Sequence, residues 1–387
     1  MKDTTPRILP RAKWTTFCYL ATWGYMLYGL GSATPYLRDD LRLSAFEAGL
    51  HASALALGIL AAGVTADVIG RRIGPSRLLD LSVAYFAVAA VLIIAAPVLP
   101  VSLCGAFLLG LGGGTLTTQV NLQLSQFGRA QSRILLSQAN AVSMIAAAAA
   151  PMAIGLAASL LHAWRLAMLV PIVWVVALTA FRPRETGAST EEQATKARLP
   201  RAYWIVWLLV VLGVAIEFSF VYWGSTIVIL RTGISTADAT MLASLFVVGM
   251  VAVRVVIGSG IGSGRSPLAL LAVGLVGAIV GASLTWVSPT PILAGLGLFL
   301  GGCGVAIQWP LGVTLAMHTA GAGQLQASAR ATLGSGLAIL IAPAMLGLAG
   351  DEFGVAAAWP LIIGIAVCSL CVAVVAHRVG ADATVAG

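Results

Sequence analysis

Twelve apolar runs, most of them at least 20 residues long, follow one another along this chain with short polar breaks between them. A helix rises about 1.5 Å per residue, so about 20 such residues cross the roughly 30 Å hydrocarbon core of a bilayer. In lipid every backbone N–H and C=O has to be bonded inside the structure, which leaves the helix as the form for an isolated apolar run. The runs lie near 14–36, 45–66, 76–98, 101–125, 135–160 and 164–182, then near 201–230, 236–258, 267–288, 291–317, 326–350 and 354–377. The chain therefore reads as an all-α membrane protein with twelve transmembrane helices. Its 9% of charged residues, against about 25% in a soluble domain, excludes a soluble fold of this size.

The net charge of +8 does not indicate nucleic acid, because the basic residues alternate with the spans. With the N-terminus inside, seventeen Lys and Arg fall on the cytoplasmic side, and Arg38, Arg42, Arg165 and Arg231 fall outside. The positive-inside rule then puts both termini in the cytoplasm, and the expected location is the plasma (inner) membrane. Arg254 lies in the eighth span near its cytoplasmic end, where its side chain is expected to snorkel to the interface. The run beginning at Trp14 is too long for a signal peptide and is expected to stay as the first span. All five cysteines fall in spans and are expected to pack as small buried apolar residues.

A polar segment containing Pro183, Gly187, Glu191, Glu192 and Lys196 divides the spans six and six, and reads as a cytoplasmic linker. The halves repeat one another. Ala150-Pro151 followed by Gly155 recurs as Ala342-Pro343 followed by Gly347, and Gly112-Gly113 with Gln119 recurs as Gly301-Gly302 with Gln308. Ser44 with Glu47, and Ser235 with Asp238, each have the form of a helix-capping box at the start of an even-numbered span. The expected organisation is two pseudo-symmetric six-helix bundles, 1–182 and 201–387, joined by a linker at 183–200. Parallel halves of this kind are a transporter architecture with the solute site near the midplane.

Between spans 2 and 3 the chain reads Gly63-Val64-Thr65-Ala66-Asp67-Val68-Ile69-Gly70-Arg71-Arg72. This resembles the signature loop of the major facilitator superfamily, and the resemblance implies the major facilitator fold. It further implies that Asp67, Gly70, Arg71 and Arg72 belong to a cytoplasmic gate. The second copy, Gly258 to Arg265, lacks the acid. The span-5 stretch Ala146 to Gly155 is only a degraded form of the drug-antiporter motif, while Glu217 to Trp223 and Gly249 with Arg254 look similar to fucose-permease-like sugar:proton symporters.

Glu217 is the one acid deep in a span, with fourteen residues of the apolar stretch Tyr203–Leu230 before it and thirteen after it. A carboxylate there costs about 2.5 kcal/mol or more on insertion scales, which makes it a functional candidate by default. It is expected to couple protons or to bind solute. Polar and aromatic candidates for the solute site are Tyr25, Tyr28, Gln119, Asn121, Gln123, Gln138, Asn140, Tyr222, Trp223, Gln308 and Trp309. Each has a bland alternative, amides as interhelical ties and aromatics as interfacial anchors. No cofactor, metal or covalent-catalysis constellation is present, so an enzyme is not expected.

The expected function is secondary active transport of a small organic solute by alternating access, proton-coupled and preferably sugar-like symport, by a monomer in the bilayer. Export of an amphipathic metabolite or drug by proton antiport is the alternative. A solute sensor of the same fold is a third reading.

Overall fold

A computed structural model describes residues 10–125, 129–180, 198–259 and 264–381. Most of the expected linker, 183–200, lies outside the described residues. Regular structure among these residues is all helical. In the first part of the chain are α1 (Pro10–Leu41), α2 (Ala45–Ile73), α3 (Pro75–Ile94), α4 (Leu99–Ser125), α5 (Arg129–Leu161) and α6 (Arg165–Ala180). The rest holds α7 (Arg201–Thr232), α8 (Thr236–Gly258), α9 (Pro267–Val287), α10 (Pro291–Val305), α11 (Gln308–Thr319), α12 (Gln324–Phe353), α13 (Val355–Ala358) and α14 (Pro360–Arg378).

Ten stretches of these helices are long and apolar enough to cross a membrane, α10 with α11 and α13 with α14 each counting as one; α6 is a shorter apolar helix. With α1 of 32 residues they fill the twelve expected places. One boundary differs. The signature stretch Gly63 to Arg72 is the last part of α2, which runs on to Ile73, and only Gly74 separates it from α3. Gly74 has φ of 83°, a conformation glycine adopts without steric cost, and Pro75 then starts the next helix.

The chain divides into two compact units, Met1–Ala33 with Ala54–Glu191, and Thr34–Ser53 with Glu192–Gly387. Inside each, one helix crossing is made at equivalent places. In the first unit a Cβ on Gly58 would collide with the Phe107 carbonyl, and one on Gly110 with the Leu55 carbonyl. In the second, Gly249 meets the Phe299 carbonyl and Gly302 the Phe246 carbonyl in the same way. The offsets, 249 − 58 = 191 and 302 − 110 = 192, match those of the capping boxes and of the Ala-Pro repeat; Gly302 thus corresponds to Gly110 and not, as the glycine pairs in the sequence have it, to Gly113. Missing side chains let backbones touch, which is how helices associate where lipid offers no hydrophobic drive.

Prolines inside the spans explain three further interhelical bonds. A proline has no N–H for the carbonyl four residues before it, so Pro171, Pro310 and Pro360 leave Ala167, Ala306 and Ala356 without a helical donor. Each of these carbonyls accepts from a side chain on another helix. The Tyr25 hydroxyl donates to Ala167 at 2.9 Å, Arg254 Nε to Ala306 at 2.9 Å, and Trp286 Nε1 to Ala356 at 2.8 Å. Neighbouring helices satisfy proline-freed groups in membranes in this manner.

Arg254 thus ties two helices together as well as lying near the cytoplasmic end of α8. Its head lies against the interruption of the tenth span between α10 and α11, where Pro310 breaks the ladder. Arg254→Ala should lower thermal stability by about 1–3 kcal/mol, the cost of leaving a buried acceptor unpaired. Pro310→Ala restores the N–H, so the same arginine substitution in that background should cost less by about 1 kcal/mol or more. Equal losses in both backgrounds, measured by thermal unfolding, would show that the carbonyl is not what Arg254 serves.

Candidate functional site

α7 positions the central acid. Every residue from Gly213 to Val228 is buried, so this half of the helix has no exposed face. Glu217 lies within it at 7% exposure, and it is the one Asp, Glu, Lys or Arg among the buried described residues. Tyr222 and Trp223, five and six positions further along, have no exposure at all, which separates them from interfacial anchors. The Trp223 indole donates to the Pro343 carbonyl at 3.0 Å and ties α7 to α12. The Tyr222 hydroxyl has no partner among the described residues, nor has the hydroxyl of Ser225 one turn on. Ser225 was not singled out from sequence, since a lone serine in an apolar run carries no signal of its own.

Gln308 and Trp309 open α11 directly after the break. The Gln308 amide nitrogen donates to Leu271 on α9 at 2.9 Å and to Gly304 at 3.2 Å, a tie between helices, while its oxygen is buried without a partner among the described residues. Gly213 on α7 leaves the room this side chain needs, because a Cβ there would lie 2.8 Å from Gln308 Cβ. Trp309 is 41% exposed, and its indole donates to Ser335 Oγ at 3.0 Å.

In the first unit, Tyr25 spends its hydroxyl on the Ala167 carbonyl and Tyr28 is buried. Gln119 is buried with an unpartnered oxygen, and its amide nitrogen comes 3.9 Å from where a Cβ on Gly70 would stand. The fold therefore brings Gln119 beside the signature stretch. Gln123 is half-buried, whereas Asn121, Gln138 and Asn140 are exposed. Asn140 donates to the Leu136 carbonyl of its own helix at 2.8 Å. Asp67 pairs with Arg71 at 2.8 Å on α2, with side chains 68% and 51% exposed. An exposed pair of this kind is worth about 0–1 kcal/mol.

An open groove of about 920 Å³ runs along α7, α12 and α14 in the second unit, with Ile341, Met345, Phe353 and Leu361 on its wall exposed. Trp207, Ala215, Ser219, Met345, Glu352 and Phe353 are among the residues that line it, and the lining is almost wholly apolar. None of the residues nominated from sequence is among them. Glu352 is the one charged group on this wall, at the end of α12. Cys104, Cys368 and Cys371 are exposed and Cys18 and Cys303 half-buried, so the thiols do not pack in the core as expected. An outward helix face in a bilayer meets hydrocarbon, which suits a weakly polar thiol as well as a core does.

Solved structures share this architecture. A mutant of the peptide transporter POT superposes with a TM-score of 0.77 at 16% identity, covering 96% of this chain and 95% of that one. The nucleoside transporter NupG gives 0.74 at 12% identity over 95% and 98%, and a mutant of the E. coli fucose:proton symporter FucP gives 0.62 at 16% over 95% and 98%. No curated protein matches the chain in sequence. A family model of the Major Facilitator Superfamily matches residues 15–325. With its apolar helices filling twelve places, its crossings duplicated at a fixed offset and its signature stretch at the end of α2, this multi-pass membrane protein belongs to the Major Facilitator Superfamily.

Proposed function

We propose that the protein is a proton-coupled secondary transporter of a small organic solute, in which the halves 1–182 and 201–387 alternate access to a central site. Glu217 takes up and releases the proton. The observation that carries this is the burial of a single carboxylate midway along α7, since an acid so placed is costly and is kept where it does something. Tyr222, Gln308 and Gln119 offer buried polar groups to the solute, and the other aromatic and amide candidates on α1, α4, α5, α7 and α11 complete the set. Asp67, Gly70, Arg71 and Arg72 form the gate on the cytoplasmic side, where both termini lie.

Sugar-like symport is the preferred mode, supported by the family resemblance and by the likeness to the fucose:proton symporter. The apolar groove favours the second reading, an amphipathic solute expelled by antiport. Proteoliposomes with a proton gradient, assayed with radiolabelled sugars and with a fluorescent amphiphilic cation, separate the two. Sugar uptake along the proton gradient is the expected result, and amphiphile movement against it supports the second reading. Thermal stabilisation by a ligand without flux of either class would overturn transport and leave a sensor.

A further inference from the structure

The first turn of α2 presents four amides that no helical carbonyl can reach, those of Ser44, Ala45, Phe46 and Glu47. Two are covered locally. Ser44 N–H donates to Glu47 Oε2 at 2.9 Å and Glu47 N–H to Ser44 Oγ at 3.2 Å, a reciprocal capping box. The other two are covered from more than 300 residues away: Ala45 N–H donates to Asp351 Oδ1 at 2.6 Å and Phe46 N–H to Asp351 Oδ2 at 2.9 Å. No amide of that turn is left over.

Asp351 occupies the last turn of α12, where its own helix presents the negative end of its dipole and disfavours an acid. The positive end of α2 compensates. Below this contact the two helices run antiparallel with small residues between them. Gly347 faces the Ala45 carbonyl, and a Cβ on Gly49 would stand 2.7 Å from the Pro343 carbonyl. Ser53 Oγ donates to Leu340 O at 2.5 Å. Glu352, next to Asp351, lines the apolar groove, so one turn of α12 touches both the α2 contact and the groove wall.

We propose that Asp351 is the outer latch of the transport cycle: its carboxylate completes the cap of α2, and opening towards the outside requires it to release both amides. The proposal rests on the transporter reading and on the orientation that puts the end of α12 outside. Release exposes two amides and one carboxylate together, so the latch opens as a unit and sets how often the outer end parts.

The test is double electron–electron resonance in nanodiscs, with spin labels at Arg42→Cys and Phe353→Cys in a chain otherwise free of cysteine. Asp351→Asn keeps an acceptor but loses the charge. It should raise the ratio of separated to closed distances about tenfold, the ratio that about 1.4 kcal/mol corresponds to. Asp351→Glu, which restores the charge, should bring the closed population back at least in part. Distances unchanged in both Asp351→Asn and Asp351→Ala would overturn the latch. If the asparagine chain fails to fold, Gly347→Leu, which pushes the same helices apart below the cap, supplies the separated reference against which Asp351→Ser is read. No solute enters the measurement, so a failed uptake assay leaves the latch result standing.

Discussion

Glu217→Gln is expected to abolish solute accumulation driven by a pH gradient in proteoliposomes while leaving solute exchange across the membrane. Glutamine keeps the size and the hydrogen-bonding oxygen of the acid but cannot carry a proton. In the buried stretch Gly213–Val228 the packing is then preserved and the chemistry alone removed. For one proton per solute, a gradient of one pH unit stores about 1.36 kcal/mol, which corresponds to about tenfold accumulation. The variant should show a ratio near one. Accumulation equal to that of the unmodified chain would remove Glu217 from the coupling step.

Gly302→Val should destabilise the second unit by about 3 kcal/mol, the upper end of the cost of overpacking. A Cβ at Gly302 collides with the Phe246 carbonyl, and because the obstacle is backbone, no rotamer change relieves it. Gly110→Val should do the same in the first unit through the Leu55 carbonyl. Gly364 supplies the control, since nothing lies within 4 Å of its missing side chain; Gly364→Ala should stabilise by about 0.5–1 kcal/mol through helix propensity alone. Thermal unfolding that ranked Gly302→Val with Gly364→Ala would show that the α8–α10 crossing does not depend on backbone contact.

Much of the fold was legible because its signals are local. Span length, the capping boxes at Ser44 and Ser235 and the repeat offset are written in neighbouring residues; the Ser44 box closes in both directions, while at Ser235 the side-chain oxygen accepts from Asp238 N–H at 3.1 Å and the Asp238 carboxylate takes the Ser235 hydroxyl. The misses involve partners distant in sequence. The bond of Arg254 went unread because the carbonyl it serves is 52 positions away, although Pro310 already announced an orphan four residues before itself. Asp351 went unread for the same reason. An acid at the C-terminal end of an apolar helix was the clue, since it acts against its own dipole. Tyr25 adds a bond of the same kind: nominated for stacking its ring on a solute, it also donates its hydroxyl to the Ala167 carbonyl, 142 positions away. The apolar groove left no mark, because its lining residues look like any other face of a span.

The three proline-freed carbonyls also bear on how the chain is made. In each pair the donor comes earlier in sequence than the acceptor: Tyr25 before Ala167, Arg254 before Ala306, Trp286 before Ala356. Synthesis proceeds from the N-terminus, so the helix holding the donor is already in place when the defective helix enters the bilayer. A bare carbonyl in lipid costs several kcal/mol, and this order shortens the time for which it is bare. Reversing a pair by circular permutation would leave the folded contacts intact yet expose the carbonyl during insertion, which makes the direction of the chain part of what these prolines require.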